Sequence, residues 1–133
     1  MPISAEQFEK GGEMTWEQKE EHVRKILEKE FRKKLPNKKN VIVGYTKEGE
    51  PNYKEFDLYA DDGSIVGQVK SGKDMRDYRL AECCMDCLYL MSEGMKEAGK
   101  RIFVLTNEEM YDWFLKKISG LPINDIEIRL IKC

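Results

Sequence analysis

The chain has a single histidine, His22, among its 133 residues. One imidazole excludes most histidine-based metal sites and catalytic triads, which need His as a base or as one of several ligands. His22 itself reads as a structural helix residue. No apolar stretch reaches the length of a membrane span. The N-terminus has no secretory pattern, and no internal repeat or low-complexity tract is present. An excess of one charge sign is also missing. The 23 Lys and Arg against 25 Asp and Glu leave a formal net charge of -2. That balance excludes a wholly basic nucleic-acid coat and leaves room for a local basic groove. Cysteine is sparse: Cys83, Cys84, Cys87 and Cys133. Three of the four crowd one predicted helix, which is poor geometry for a disulfide framework. Reduced thiols and a cytoplasmic protein are therefore expected. Cys84 and Cys87 form a CxxC with no second such pair, so core packing is preferred over a metal or iron–sulfur site.

Charged residues make up 36% of the chain and hydrophobic residues 41%. This is the composition of one soluble domain with a core of its own. Residues 1–14, with Gly11-Gly12, read as a polar N-terminal arm, and residues 15–133 as a single domain. Thr15 and Gln18 have capping-box spacing, which starts a helix running to about Lys34 and stopped by Leu35-Pro36. Its apolar stripe is Trp16, Val23, Ile26, Leu27 and Phe31. A short strand follows over 40–45, then a charged turn and a hairpin over 53–71. A long helix is expected from Met75 to Ala98, with Tyr78, Ala81, Cys84, Met85, Leu88 and Met91 at helical spacing and Gly99 as its C-cap. A strand over 101–106, a short helix over 107–118 and a last strand over 125–131 complete the order. The sequence of elements, α-β-β-β-α-β-α-β, predicts an α/β domain with helices flanking a sheet.

The hairpin carries the most information. Asp62-Gly63 is a strong two-residue turn signal, with positive φ expected at both residues. That turn fixes a register in which Asp57 faces Gln68 and Glu55 faces Lys70. Directly opposed side chains stand about 5 Å apart at Cβ. Phe56, Leu58, Ala60, Ile65, Gly67 and Val69 then form a core face, and the polar residues share the other face. Mg²⁺ takes hard oxygen ligands, typically one or two carboxylates together with substrate phosphates. Asp57 offers a carboxylate, Gln68 an amide oxygen and Val69 a backbone carbonyl, with Lys70 beside them to orient water or stabilise charge. The plainer reading of the same residues is a solvated strand face with a Glu55–Lys70 ion pair. Glu20 falls inside the apolar stripe of the first helix, where a carboxylate is costly unless it is paired or metal-bound. Lys73, Arg76 and Arg79 follow the hairpin and could meet phosphates. The run from Gly67 to Lys73 resembles a phosphate-binding loop, but Asp74 stands where Ser or Thr is required.

Glu20, Asp57 and Gln68-Val69-Lys70, in that order, resemble the PD-(D/E)xK nuclease superfamily in its Q-x-K variant. The first helix from Glu20 to Lys29 is similar to that of archaeal Holliday junction resolvases, and the Q-x-K form is similar to Mrr-like restriction endonucleases. The resemblance spans roughly residues 15–106. Glu55-Phe56 stand where a proline often precedes the aspartate, and Gln68 replaces a glutamate, removing one negative charge. The resemblance implies a restriction-endonuclease-like, three-layer α/β/α fold with a central mixed sheet and an α-β-β-β-α-β core. It implies hydrolysis of DNA phosphodiester bonds with Mg²⁺ or Mn²⁺, with DNA rather than RNA as substrate. Glu20, Asp57, Gln68 and the Val69 carbonyl would hold the metal, Lys70 would act on the nucleophile, and Glu55 would support the ligands. A homodimer is implied as well, with apolar residues of the second and third helices as its interface. The alternatives are a catalytically inactive member that binds nucleic acid and a dimeric protein-interaction module.

Overall fold

A computed structural model describes residues 14–36 and 39–133. All of the expected N-terminal arm except Met14 lies outside the described residues. Helix α1 spans Trp16–Phe31. It opens on the expected capping box, in which the Thr15 hydroxyl accepts from the Gln18 N–H and the Gln18 side chain accepts from the Thr15 N–H. It ends earlier than Lys34, because Arg32 turns left-handed at φ 56° and its N–H caps the Glu28 carbonyl. Val23 and Leu27 of its stripe are fully buried. Trp16 and Ile26 are exposed instead.

Strands β1 (Lys39–Tyr45) and β2 (Pro51–Phe56) form an antiparallel ribbon. Strand β3 (Leu58–Tyr59) pairs antiparallel with β4 (Ile65–Lys70). Strand β4 then runs parallel to β5 (Lys100–Leu105), and β5 parallel to β6 (Glu127–Leu130). The result is a mixed four-stranded sheet in the order β3-β4-β5-β6. Helix α2 (Asp77–Leu90) and helix α3 (Glu108–Ile118) lie between β4 and β5 and between β5 and β6 in sequence. One core packs Val66, Phe103 and Leu105 with Cys83, Cys87 and Leu90 of α2 and Met110 and Phe114 of α3. A second core packs Leu58, Ile65, Ile102 and Val104 with Val23 and Leu27 of α1. Neighbouring residues of one strand thus serve opposite cores, so helices cover both faces of the sheet. The architecture is mixed α/β.

Three expectations are corrected. The turn is not a two-residue loop with both central residues at positive φ: Gly63 alone has it, at 75°. The Gly63 N–H instead closes a turn onto the Ala60 carbonyl at 2.8 Å, and Asp62 Oδ1 accepts from the Ser64 N–H. The register is unaffected, with Leu58 opposite Gly67 and Tyr59 opposite Val66. The hairpin's first strand is also not continuous. It breaks at Asp57 into β2 and β3, and the break reverses the side-chain alternation, so Phe56 joins the α2-side core while Leu58 joins the α1-side core. Finally, α2 stops at Leu90 rather than Ala98 and is phased differently from expectation. Cys83, Asp86, Cys87 and Leu90 face inward, whereas Tyr78, Met85 and Leu88 are exposed.

The helix stops because the chain must pass directly beneath β1. A 3-10 turn, Glu93–Met95, follows, and a Cβ on Gly94 would lie 2.2 Å from the Ile42 carbonyl oxygen and 2.8 Å from the Val43 Cα. Both obstacles are backbone, which cannot rotate away as a side chain can. Gly94→Ala is expected to cost about 2–3 kcal/mol through forced backbone displacement. Urea unfolding checks this; a loss below about 0.5 kcal/mol, the range of ordinary surface substitutions, would contradict the close approach.

Candidate functional site

The break at Asp57 creates the site. Where the strand leaves the ladder, its backbone groups need other partners. Gln68, only 3% exposed, provides them: its Oε1 accepts from the Asp57 N–H at 3.0 Å, and its amide donates to the Glu55 carbonyl over a longer 3.4 Å. In return the Val69 N–H donates to Asp57 Oδ2 at 2.9 Å. A strand residue directs its N–H and C=O to the same edge, so the Val69 carbonyl faces the Asp57 side too. The opposite edge of β4 is occupied by β5, where the Lys70 carbonyl accepts from the Thr106 N–H at 3.3 Å.

A cleft of about 500 Å³ opens over this junction. Its walls include Glu20, Glu55, Asp57, Gln68, Val69 and Lys70, so the structure brings together the residues expected to form the centre of the site. Glu20 is buried, as its place in the apolar stripe predicts, and is paired with Arg24 at 3.1 Å. Arg24 also donates to the Asp57 carbonyl at 3.0 Å, tying α1 to the strand break. Lys70 makes ion pairs with Asp86 at 3.0 Å and Glu82 at 3.9 Å, both on α2. Glu55, expected opposite Lys70, lies opposite Asn40 in the β1–β2 ribbon. Of the three cations proposed for phosphate contact, Arg79 lines the cleft. Lys73 pairs with Glu109 and Arg76 folds onto Asp74 and Tyr78, and neither lines the cleft.

The sequence reading missed several residues of the cleft: Trp16, Lys54, Ser71 and Asp86. Asp86 is buried and sits between two lysines, Lys70 and Lys54, the latter at 3.6 Å. It is a charge inside an apolar helix stripe, the same signal that exposed Glu20, but it emerges only with the correct phase of α2. Arg24 was likewise detectable, four residues after Glu20 and so one helical turn away.

Burial holds the Asp57 carboxyl above its usual range, and the charge of Asp86 pushes the same way. The Val69 hydrogen bond and the charges of Lys70 and Lys54 oppose that rise. The cysteine set takes no part in the cleft. Cys83 and Cys87 are buried free thiols, and burial lifts Cys83 to about 12.

The cleft gathers hard oxygen atoms. Asp57 and Glu20 offer carboxylates, Val69 a carbonyl and Gln68 the remaining lone pair of its amide oxygen. Among the described residues no group of three or more His, Cys, Asp or Glu side chains is placed to hold a metal. Mg²⁺ is typically held by only one or two carboxylates with water and substrate phosphate. No helix among the described residues is long and apolar enough to cross a membrane. Comparison with protein-family models, curated proteins and solved structures gives no match.

Because Asp57 binds its proton more tightly when folded, the protein loses stability as pH rises through the window from the ordinary Asp value up to the raised one. The penalty is present above that window and absent below it. Asp57→Asn keeps an oxygen for the Val69 N–H and removes that penalty. It is expected to raise Tm by roughly 2–5 °C at neutral pH, with the gain vanishing below about pH 3. Thermal unfolding across pH checks this; a lower Tm at neutral pH would show that the negative charge itself holds the junction together.

Proposed function

We propose that the protein is a divalent-metal-dependent nuclease that hydrolyses DNA phosphodiester bonds, with Mg²⁺ or Mn²⁺ as cofactor. The observation that carries this reading is convergence. Glu20 from α1, Asp57 from the strand break and Gln68, Val69 and Lys70 from β4 line one cleft, in the chain order that the PD-(D/E)xK resemblance implies. The finer assignment, a restriction-endonuclease-like fold, belongs to the same proposal.

In this reading Asp57, Glu20, Gln68 and the Val69 carbonyl hold the ion. The metal, when bound, supplies Lewis-acid stabilisation of a phosphoryl oxygen and a more acidic water. Lys70 orients the attacking water and offsets negative charge growing on the phosphoryl oxygens. Asp86 fixes Lys70 in place through their 3.0 Å ion pair. Arg79 and Lys54 face the substrate backbone. Arg79 is held at the cleft wall by its Nη2, which donates to the Ser71 carbonyl at 3.2 Å, and by its Nη1, 3.4 Å from Glu82. A homodimer, with one cleft for each strand, belongs to this proposal as well.

A second reading is favoured by one specific feature. Asp57 and Gln68 are already engaged in mending the broken strand, and Gln68 brings no charge to a metal. A catalytically silent protein that binds nucleic acid would use the same cleft without turnover.

Incubation of single-stranded, duplex and branched DNA with Mg²⁺ or Mn²⁺ separates the two. The nuclease reading predicts metal-dependent cleavage that falls at least roughly a hundredfold in Lys70→Ala, the scale of a lost charge-stabilising group. No metal-dependent product from any substrate, or equal product from Lys70→Ala, would refute it.

A further inference from the structure

A second cavity, of about 420 Å³, lies beside the cleft. Gly72 in its wall follows the end of β4, Thr106 and Asn107 follow the end of β5, and Cys133 follows the end of β6. The cavity therefore sits at the carboxyl ends of three parallel strands, where open α/β sheets hold their ligands. It adjoins the cleft on two elements. Glu20 and Lys19 are neighbours on α1, and Ser71 and Gly72 are neighbours after β4. In each pair the first residue lines the cleft and the second lines the cavity.

The polar groups of this cavity suit a phosphate. Thr106 is only 5% exposed, yet its hydroxyl has no hydrogen-bond partner among the described residues. Its backbone is fully engaged: the N–H donates to the Lys70 carbonyl at 3.3 Å, and the carbonyl accepts from the Cys133 N–H at 3.4 Å. The hydroxyl is thus the polar group of Thr106 left for a ligand, and leaving it unmade is costly. Lys19 is half-buried and makes no ion pair among the described residues. Its charge reaches the cavity wall, because burial raises the Cys133 thiol and Lys19 opposes that rise. Helix α3 begins here with Asn107 as its N-cap, and the N–H groups of Gly72 and Asn107 have no partner among the described residues. Lysine, hydroxyl, backbone N–H and helix N-terminus are the groups that take phosphate. Glu108 and Glu109 in the first turn of α3 do not line the cavity and are paired with Lys132 and Lys73. With Lys73 so engaged, Lys19 is the cavity's unpaired cation. One positive charge matches a phosphodiester, which carries one negative charge, better than a free phosphate, which carries nearly two.

We infer that this cavity is a phosphate subsite for the nucleic-acid backbone, in which the Thr106 hydroxyl and the Lys19 ammonium hold a phosphodiester beside the one in the cleft. Lys19 supplies the charge and Thr106 fixes where the phosphate sits. The inference deepens the nuclease reading and rests on it for the identity of the polymer.

The test is binding without metal, in EDTA, by fluorescence anisotropy of labelled single-stranded and duplex DNA over a range of salt. Lys19→Ala is expected to weaken the tighter-binding form roughly fivefold or more and to lower the slope of log K against log salt by about one. Thr106→Val exchanges the hydroxyl for a methyl. It is expected to keep or raise Tm, since no hydrogen bond of the fold is lost, and to weaken DNA binding at least about threefold. Thr106→Ser keeps the hydroxyl and should bind as the wild type does. Wild-type affinity in Thr106→Val would overturn the inference, as would an unchanged salt slope in Lys19→Ala or no binding by the wild type at low salt. Amide shifts at Gly72 and Asn107 that respond to inorganic phosphate but not to DNA would assign the cavity to free phosphate instead. Metal-dependent cleavage with unchanged binding in both variants refutes the subsite alone. Weakened binding in both variants, with no wild-type cleavage in Mn²⁺, refutes the nuclease reading and leaves the subsite standing.

Discussion

The exchange of hydrogen bonds between Asp57 and the Gln68-Val69 pair governs this structure. A strand that leaves its sheet leaves backbone groups without ladder partners, and each would be costly if buried and unsatisfied. Gln68 and Asp57 cover that gap from opposite sides, at 3.0 Å and 2.9 Å. The break lets β2 depart from the sheet and pair with β1. Its departure opens the cleft at the end of β4, where side chains from α1, β2 and α2 converge. A straight hairpin would have presented the same residues as a solvated strand face.

The cleft's charges are paired with one another along and between the elements that wall it. Glu20, Arg24 and Asp86 are all buried polar or charged side chains, and buried ion pairs seldom add net stability over apolar replacements. Asp57 stays raised because burial and Asp86 outweigh the hydrogen bond from Val69 and the nearby lysines. A carboxylate strained in this way gains from a cation, and perturbed titration in a cleft is a recognised mark of function, although structural ion-pair networks also produce it.

Much of the site was legible from local rules, and the parts that were not depended on distant packing. The register survived an incorrect turn type, because Gly63 and the pairing of Leu58 with Gly67 fix it whether or not Asp62 adopts positive φ. Glu20 was legible because an amphipathic stripe specifies its own inward positions. The strand break was not, since nothing in the alternation of residues 53–60 marks the point where β2 leaves for β1. The phase of α2 failed for a different reason. Tyr78, Met85 and Leu88 form an apolar outer face that competes with the true inner face of Cys83, Cys87 and Leu90, so periodicity alone supports either. With the phase went Asp86 and its hold on Lys70. The early stop of α2 was hidden because the crowding at Gly94 comes from β1, some fifty residues earlier in the chain.

The central claim is that the break at Asp57 builds a divalent-cation site. A crystal soaked in Mn²⁺ and measured at the manganese absorption edge tests it most directly. The account predicts an anomalous peak in contact with Asp57 and within coordination distance of the Val69 carbonyl and Gln68 Oε1, with Glu20 as a direct or water-bridged ligand. Well-ordered density for these side chains with no peak at saturating Mn²⁺, or a peak elsewhere on the surface, would contradict it.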